Sequence, residues 1–184
     1  MNEQESVLQA IKIAIEMELD GQQCYLTASK GSTNEAGRQL LKSLADEEDN
    51  HRQTFEGIYN AIRQGRDWPS VDLGTDRAVD IRDTLVKTCQ ALGVSVGGTS
   101  SELDAVKLAI DKEKKSYDFY EKQASHAIHD TEKSFYEALA REEREHELTL
   151  LDYYDYLTDP AGWFVKAEHP SLDGWPAPIK DTTS

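Results

Sequence analysis

Leu44-Ala45-Asp46-Glu47-Glu48-Asp49-Asn50-His51 decides the fold, because it returns 95 positions later as Leu139-Ala140-Arg141-Glu142-Glu143-Arg144-Glu145-His146. In each copy a glutamate and a histidine stand three apart, Glu48 with His51 and Glu143 with His146. On an α-helix that spacing puts both on one face, a turn apart. Outward from them run apolar residues at alternating spacings of three and four: Leu41, Leu44, Phe55, Ile58 and Ile62 in one copy, Tyr136, Leu139, Leu150, Tyr153 and Leu157 in the other. Two earlier segments carry the same rhythm: Leu8, Ile11, Ile15, Glu18, Gln22, Tyr25, and Leu103, Val106, Ile110, Glu113, Tyr117, Tyr120. A period near 3.6 over such lengths means amphipathic helices, not strands.

Four helices are expected, over about 5–30, 34–64, 101–128 and 130–158. Their ends are marked by Gly31 followed by Thr33 or Asn34, by Gly65, by Ser101 with Asp104, by Asp130 and by Pro160. Short connections make helices one and two a hairpin, and three and four another. The two hairpins are copies, since Glu18 and Tyr25 also recur 95 positions on as Glu113 and Tyr120. Between them residues 65–100 form a long crossover with a Trp68-Pro69 turn, a short helix around 76–92 and a glycine-rich stretch at Gly97-Gly98. The class is therefore all-α, a four-helix bundle with one long crossover, which is the ferritin-like arrangement. The bundle is read as 1–158, followed by a tail, 159–184, rich in aromatics and proline, expected to pack Trp163, Phe164 and Trp175 on the bundle or on a partner subunit.

Composition removes several functions. Thirty-five acidic and 20 basic residues give a formal charge of −15, which repels phosphate backbones and argues against nucleic-acid binding. Cys24 and Cys89 are the only cysteines, too few for a zinc ribbon or a disulfide framework, and read as small buried hydrophobes. No apolar stretch reaches the ~18 residues of a membrane span, and the N-terminal segment lacks the basic start and apolar core of a secretion signal. A cytoplasmic, non-membrane protein is expected.

Six ionisable residues, Glu18, Glu48, His51, Glu113, Glu143 and His146, occupy positions where the helical pattern calls for apolar side chains. Burying unpaired carboxylates is so costly that a fold keeps four together only if cations compensate them. A glutamate from each of two helices with Glu-x-x-His from the other two is the ligand inventory of a dinuclear metal site. Glu48 and Glu143 are expected to bridge two ions, Glu18 and Glu113 to bind terminally, and each histidine to cap one ion. Mixed carboxylate and imidazole ligation favours two iron ions per chain, with manganese next and zinc able to substitute in a purified sample. Tyr25 and Tyr120, two turns beyond the terminal glutamates, read equally as hydrogen-bond donors to the carboxylates and as core aromatics with a tethered hydroxyl. Glu16, Glu47 and Glu142 fall off the stripe and are expected to be solvated or salt-bridged surface charges. The adjacent Glu168 and His169 are not expected to form a further site.

The segments Ala14-Ile15-Glu16-Met17-Glu18-Leu19-Asp20-Gly21 and Leu44 to His51, with their second-half counterparts, resemble the rubrerythrin branch of the ferritin-like superfamily. The resemblance implies a di-iron oxidoreductase, commonly a dimer, that oxidises Fe(II) with H2O2 or O2 in oxidative-stress defence. The alternative within the same fold is an iron-binding storage protein without enzymatic turnover. Two departures stand out. The chain lacks cysteines for a rubredoxin domain, so electrons are expected from a separate rubredoxin-type donor. Ala109, Ile110, Ser116 and Tyr117 surround Glu113, leaving no additional inward glutamate there, so the ligand set is closer to that of bacterioferritin.

Overall fold

The computed structural model describes residues 3–71, 73, 77–93 and 97–168. All regular structure among them is helical: α1 Glu3–Gly31, α2 Glu35–Arg63, α3 Arg77–Leu92, α4 Ser100–His126, α5 Asp130–Thr158 and α6 Pro160–Glu168. Helices α1, α2, α4 and α5 make the bundle. α1 packs along α2, α4 along α5, and the hairpins meet where α1 lies against α4. The crossover helix α3 rests on α2 and α5, so α5 is packed on more sides than its partners.

Apolar side chains form two clusters. One contains Tyr25, Leu41, Leu44, Val106, Leu150 and Tyr153; the other contains Ile11, Phe55, Ile58, Tyr120, Tyr136 and Leu139. On every bundle helix the ionisable residues of the stripe lie between these two sets, so the core is split by a polar layer. On α1 the buried line runs one residue off the expected stripe at two points. Ala14 and Gly21 are buried, whereas Ile15 and Gln22 are only half-buried, because small residues allow the neighbouring helices to approach.

The ends of the helices follow local chemistry. Asn34 Oδ1 accepts from Gly37 N at 2.8 Å and caps α2. Thr99, not Ser101 with Asp104, caps α4, accepting from Glu102 N at 3.3 Å. Asp130 does not cap α5 but is its first residue; with Glu132 it sets negative charge at the positive end of the helix dipole. α5 closes at Thr158, just before Pro160 as expected, but Pro160 also opens a further helix, α6, with Asp159 Oδ1 accepting from Gly162 N at 3.0 Å. α6 carries Trp163, buried against Tyr156 and Phe164. His169 and Trp175 lie outside the described residues.

A polar clasp closes one end of the bundle. Glu102 accepts from the hydroxyls of Ser32 at 2.7 Å, Thr33 at 2.7 Å and Tyr153 at 2.8 Å, joining the α1–α2 loop to α4 and α5. Burial pushes the Glu102 carboxyl up, but these donors outweigh it and hold it below the usual range. α3 is tied down separately, by Arg82 Nε on Asp152 Oδ2 at 2.8 Å and by Leu85 and Cys89 in the core.

The clasp leaves no room at Gly37, where an added Cβ would collide with Tyr153 Oη and Ser32 Oγ. Gly37→Ala should therefore lower stability by about 1–3 kcal/mol despite the better helix propensity of alanine. Urea unfolding measures this; an unchanged or raised midpoint would mean that Tyr153 swings clear at no cost.

Candidate metal centre

Each helix of the bundle delivers its share of the polar layer: α1 Glu18, α2 Glu48 and His51, α4 Glu113, α5 Glu143 and His146, none more than 3% exposed. Their ligand atoms fall into two overlapping groups, Glu18, Glu48, His51 and Glu143, and Glu48, Glu113, Glu143 and His146. Within each group one atom per residue lies within 4.8 Å of all the others. Glu48 and Glu143 belong to both. His51 Nδ1 lies 3.4 Å from Glu18 Oε2 and 3.5 Å from Glu143 Oε1; His146 Nδ1 lies 3.6 Å from Glu48 Oε1 and 3.7 Å from Glu113 Oε2. The two imidazoles stack across the pseudo-two-fold axis, with centroids 6.0 Å apart.

The fit of a cation rests on unsatisfied atoms. Among the described residues eleven buried side-chain N or O atoms lack a hydrogen-bond partner, and seven of them are Glu18 Oε2, Glu48 Oε1, His51 Nδ1, Glu113 Oε2, both Glu143 oxygens and His146 Nδ1. Buried polar atoms are rarely left so. Carboxylate oxygens and imidazole Nδ1 atoms converging on one another in a buried layer are the donor set of a metal ion.

Surrounding hydrogen bonds aim these atoms. The Tyr25 hydroxyl donates to Glu113 Oε1 and the Tyr120 hydroxyl to Glu18 Oε1, so each tyrosine serves the terminal glutamate of the opposite hairpin. Gly21 makes room for Glu48: a Cβ there would lie 2.9 Å from Glu48 Oε2.

The electrostatics separate two kinds of glutamate. Burial, then the charges of Glu18 and Glu113, push the Glu48 carboxyl well up; burial, then Glu48 and Glu113, do the same to Glu143. At Glu18 and Glu113 burial also pushes up, but the facing histidine, together with hydrogen bonds to a shared glutamate and a tyrosine, outweighs it and the net shift is down. Burial pushes His51 and His146 down, and their carboxylate partners reverse this to a raised value, strongly so at His51. Burial and the nearby carboxylates raise both tyrosines well above their ordinary value. Without metal, the terminal glutamates are thus compensated locally and the shared pair is not.

One expectation is overturned. Glu142 is not a surface charge: it is 7% exposed, and its Oε2 lies 2.7 Å from His51 Nε2. On a helix successive residues differ by about 100°, so Glu142 beside Glu143 points to the seam with α2, not to water. A bond there makes Nε2 the protonated nitrogen and leaves the Nδ1 lone pair facing the cluster. The sequence carried a signal for it, the Glu-Glu doublet before both histidines. Glu16 is exposed and Glu47 half-buried.

A ferritin-like helical bundle with a buried, near-symmetric cluster of carboxylates and imidazoles defines a class of di-metal proteins. The chain matches the family described as rubrerythrin over residues 9–154 and belongs to that family, whose members are di-iron carboxylate proteins. No curated protein and no solved structure matches it. Among the described residues no helix is long and apolar enough to cross a membrane.

Glu142→Ala should weaken metal binding in the His51 group by about 10- to 100-fold while sparing the His146 group, splitting a titration with Co(II) into two steps. Nitrogen NMR of the metal-free protein should show His51, not His146, losing its fixed Nε2–H form. Equal loss at both groups would assign Glu142 a general role in packing.

Glu143 is the least compensated carboxylate, so Glu143→Leu should leave the metal-free protein at least as stable as wild type. The sign follows from linkage: a carboxyl raised in the folded state ionises more readily in the unfolded chain. Wild type therefore loses stability as pH rises from the ordinary carboxyl range through the raised value, and the advantage of the variant grows over that window. Metal reverses the order. Wild type gains RT ln(1 + [L]/Kd), about 2.7 kcal/mol at a hundredfold excess over Kd, and the variant, lacking a shared ligand, gains little. Thermal melts with and without Fe(II), with exposed Glu16→Ala as control, decide; equal metal gains would remove Glu143 from the site.

Proposed function

We propose that this protein is a di-iron oxidoreductase that reduces H2O2, or O2, with electrons from two iron ions held by its polar layer. The observation that carries the reading is the pair of overlapping ligand groups sharing Glu48 and Glu143. Glu18 and His51 would hold one ion and Glu113 and His146 the other, with Glu48 and Glu143, common to both groups, serving both. Two ferrous ions held together supply both electrons that peroxide needs to become water.

The remaining roles belong to the protein. Tyr25 and Tyr120 keep the terminal carboxylates in place, and Glu142 keeps His51 turned with Nδ1 inward. The apolar clusters on either side keep bulk water from the layer. The Glu48 and Glu143 carboxyls, raised by burial and by the charges of neighbouring glutamates, would have to be ionised to serve as ligands, so cation binding there would favour their loss of protons. The working particle is a cytoplasmic homodimer served by a separate one-electron donor of rubredoxin type.

Anaerobic loading should give close to two irons per chain, and stopped-flow mixing should oxidise them faster with H2O2 than with O2. Comparable or reversed rates would place the protein with the bacterioferritin-type ferroxidases. A stoichiometry of one would remove the dinuclear reading, and a shell of a dozen or more subunits would make storage the function.

A further inference from the structure

The two hairpins repeat their ligands but not the packing around them. Beside Tyr120 stand Phe55 and Tyr136, with ring centroids at 5.8 Å and 6.1 Å, both near parallel to it. Tyr136 in turn lies 5.6 Å from Trp68. Trp68, 8% exposed, lines a cleft of about 760 Å³ at the end of the bundle, bordered by Arg66, Asp67, His126 and His129. In the other half, 95 positions away, Phe55, Phe135 and Tyr136 are matched by Leu150, Leu40 and Leu41, all buried. Trp68 does recur as Trp163, but Tyr25, the counterpart of Tyr120, makes no ring contact among the described residues. An unbroken aromatic path thus leads from Glu18 to the surface; on the symmetric side leucines stand at the equivalent positions, and the rings joined to Trp163, Tyr156 and Tyr153, make no contact with Tyr25 among the described residues.

The ends of this path differ from its middle in proton chemistry. Tyr120 donates to Glu18, so its phenol can lose an electron and pass its proton to a base already in contact. Among the described residues the Tyr136 hydroxyl and Trp68 Nε1 are buried with no hydrogen-bond partner. Oxidised Tyr136 would have no hydrogen-bonded base to take its proton, which makes it a bridge rather than a resting place; an indole can hold the charge as a radical cation with its proton retained.

We propose that Tyr120, Tyr136 and Trp68 form a one-electron relay that discharges, at the cleft, the oxidising equivalent left when hydrogen peroxide meets a centre holding a single ferrous ion. The inference rests on the di-iron reading above. Peroxide takes two electrons and two protons to give two waters. The lone ferrous ion supplies one electron and becomes ferric. Tyr120 supplies the other electron and one proton, passed by way of Glu18, and solvent supplies the second proton. The Tyr120 radical then takes an electron from Trp68 across Tyr136 and recovers a proton that solvent returns through Glu18, so that both protons consumed come in the end from solvent. The Trp68 radical cation remains, to be reduced by a one-electron donor seated in the cleft. The relay spares the ligand residues from oxidation whenever iron loading is incomplete.

The test loads the full chain anaerobically with one equivalent of Fe(II), adds H2O2, follows iron oxidation optically, and reads radicals by freeze-quench EPR and oxidised residues by peptide mass spectrometry. Wild type should show an aromatic radical, with oxidation marks on Trp68 and not on Trp163. Tyr136→Leu, which installs the leucine found at position 41, should keep the radical on Tyr120 and spare Trp68. Trp68→Phe should prolong the tyrosyl signal, Tyr120→Phe should abolish it, and Trp163→Phe should change nothing. Equal marking of the two tryptophans, or a Tyr136→Leu variant that still oxidises Trp68, overturns the relay. Ferrous ion oxidised at the normal rate with no radical also sinks the relay, and leaves the di-iron reading standing. Iron that fails to bind or to react with peroxide removes both.

Discussion

Four carboxylates and two imidazoles in one dry layer set the terms for everything else in this molecule. Each carboxylate oxygen taken from water must meet a cation or a proton donor, and the bundle offers too few donors of its own. Tyr25, Tyr120 and Glu142 satisfy the outer edge of the cluster, while the inner atoms converge on one another. The repulsion is confined to the two shared glutamates, because histidine compensates the terminal ones. A cation bound there relieves the strain at the point where it is greatest.

The scaffold is arranged around that layer. Apolar clusters above and below it do the packing, the Glu102 clasp closes one end, and α3 covers the side formed by α2 and α5. Duplication makes the ligands symmetric, but the flanks have diverged. Aromatic rings fill one cluster where leucines fill the equivalent positions of the other, so two matched ligand sets sit in unmatched surroundings. Sites of this kind can differ in reactivity without differing in ligands.

The bundle and its six inward residues were legible because one period, repeated at one offset, placed ionisable groups in otherwise apolar stripes. What escaped depended on contacts between helices. Glu142 reads as a surface charge on the α5 wheel until α2 is laid beside it and His51 reaches across. Gly21 looks like a neutral small residue until the Glu48 carboxylate takes the space where its side chain would be. Thr99 displaced Ser101 as the cap of α4 because the helix begins where the chain turns off Leu157, whose carbonyl accepts from Gly98 N at 2.9 Å. α6 was hidden by Pro160, a residue that stops one helix and starts another equally well.

The split core has a further consequence, for how the chain finds its pairing. A bundle lined only with leucine and alanine lets its helices slide by a heptad and still bury apolar surface, so several alignments compete. Here a slide of one heptad would set Glu18 or Glu113 against leucine and strand each histidine from its carboxylates. The polar layer therefore acts as a registry key: only one alignment of the two hairpins brings all six residues to the same height, and the chain is held to it before any ion arrives.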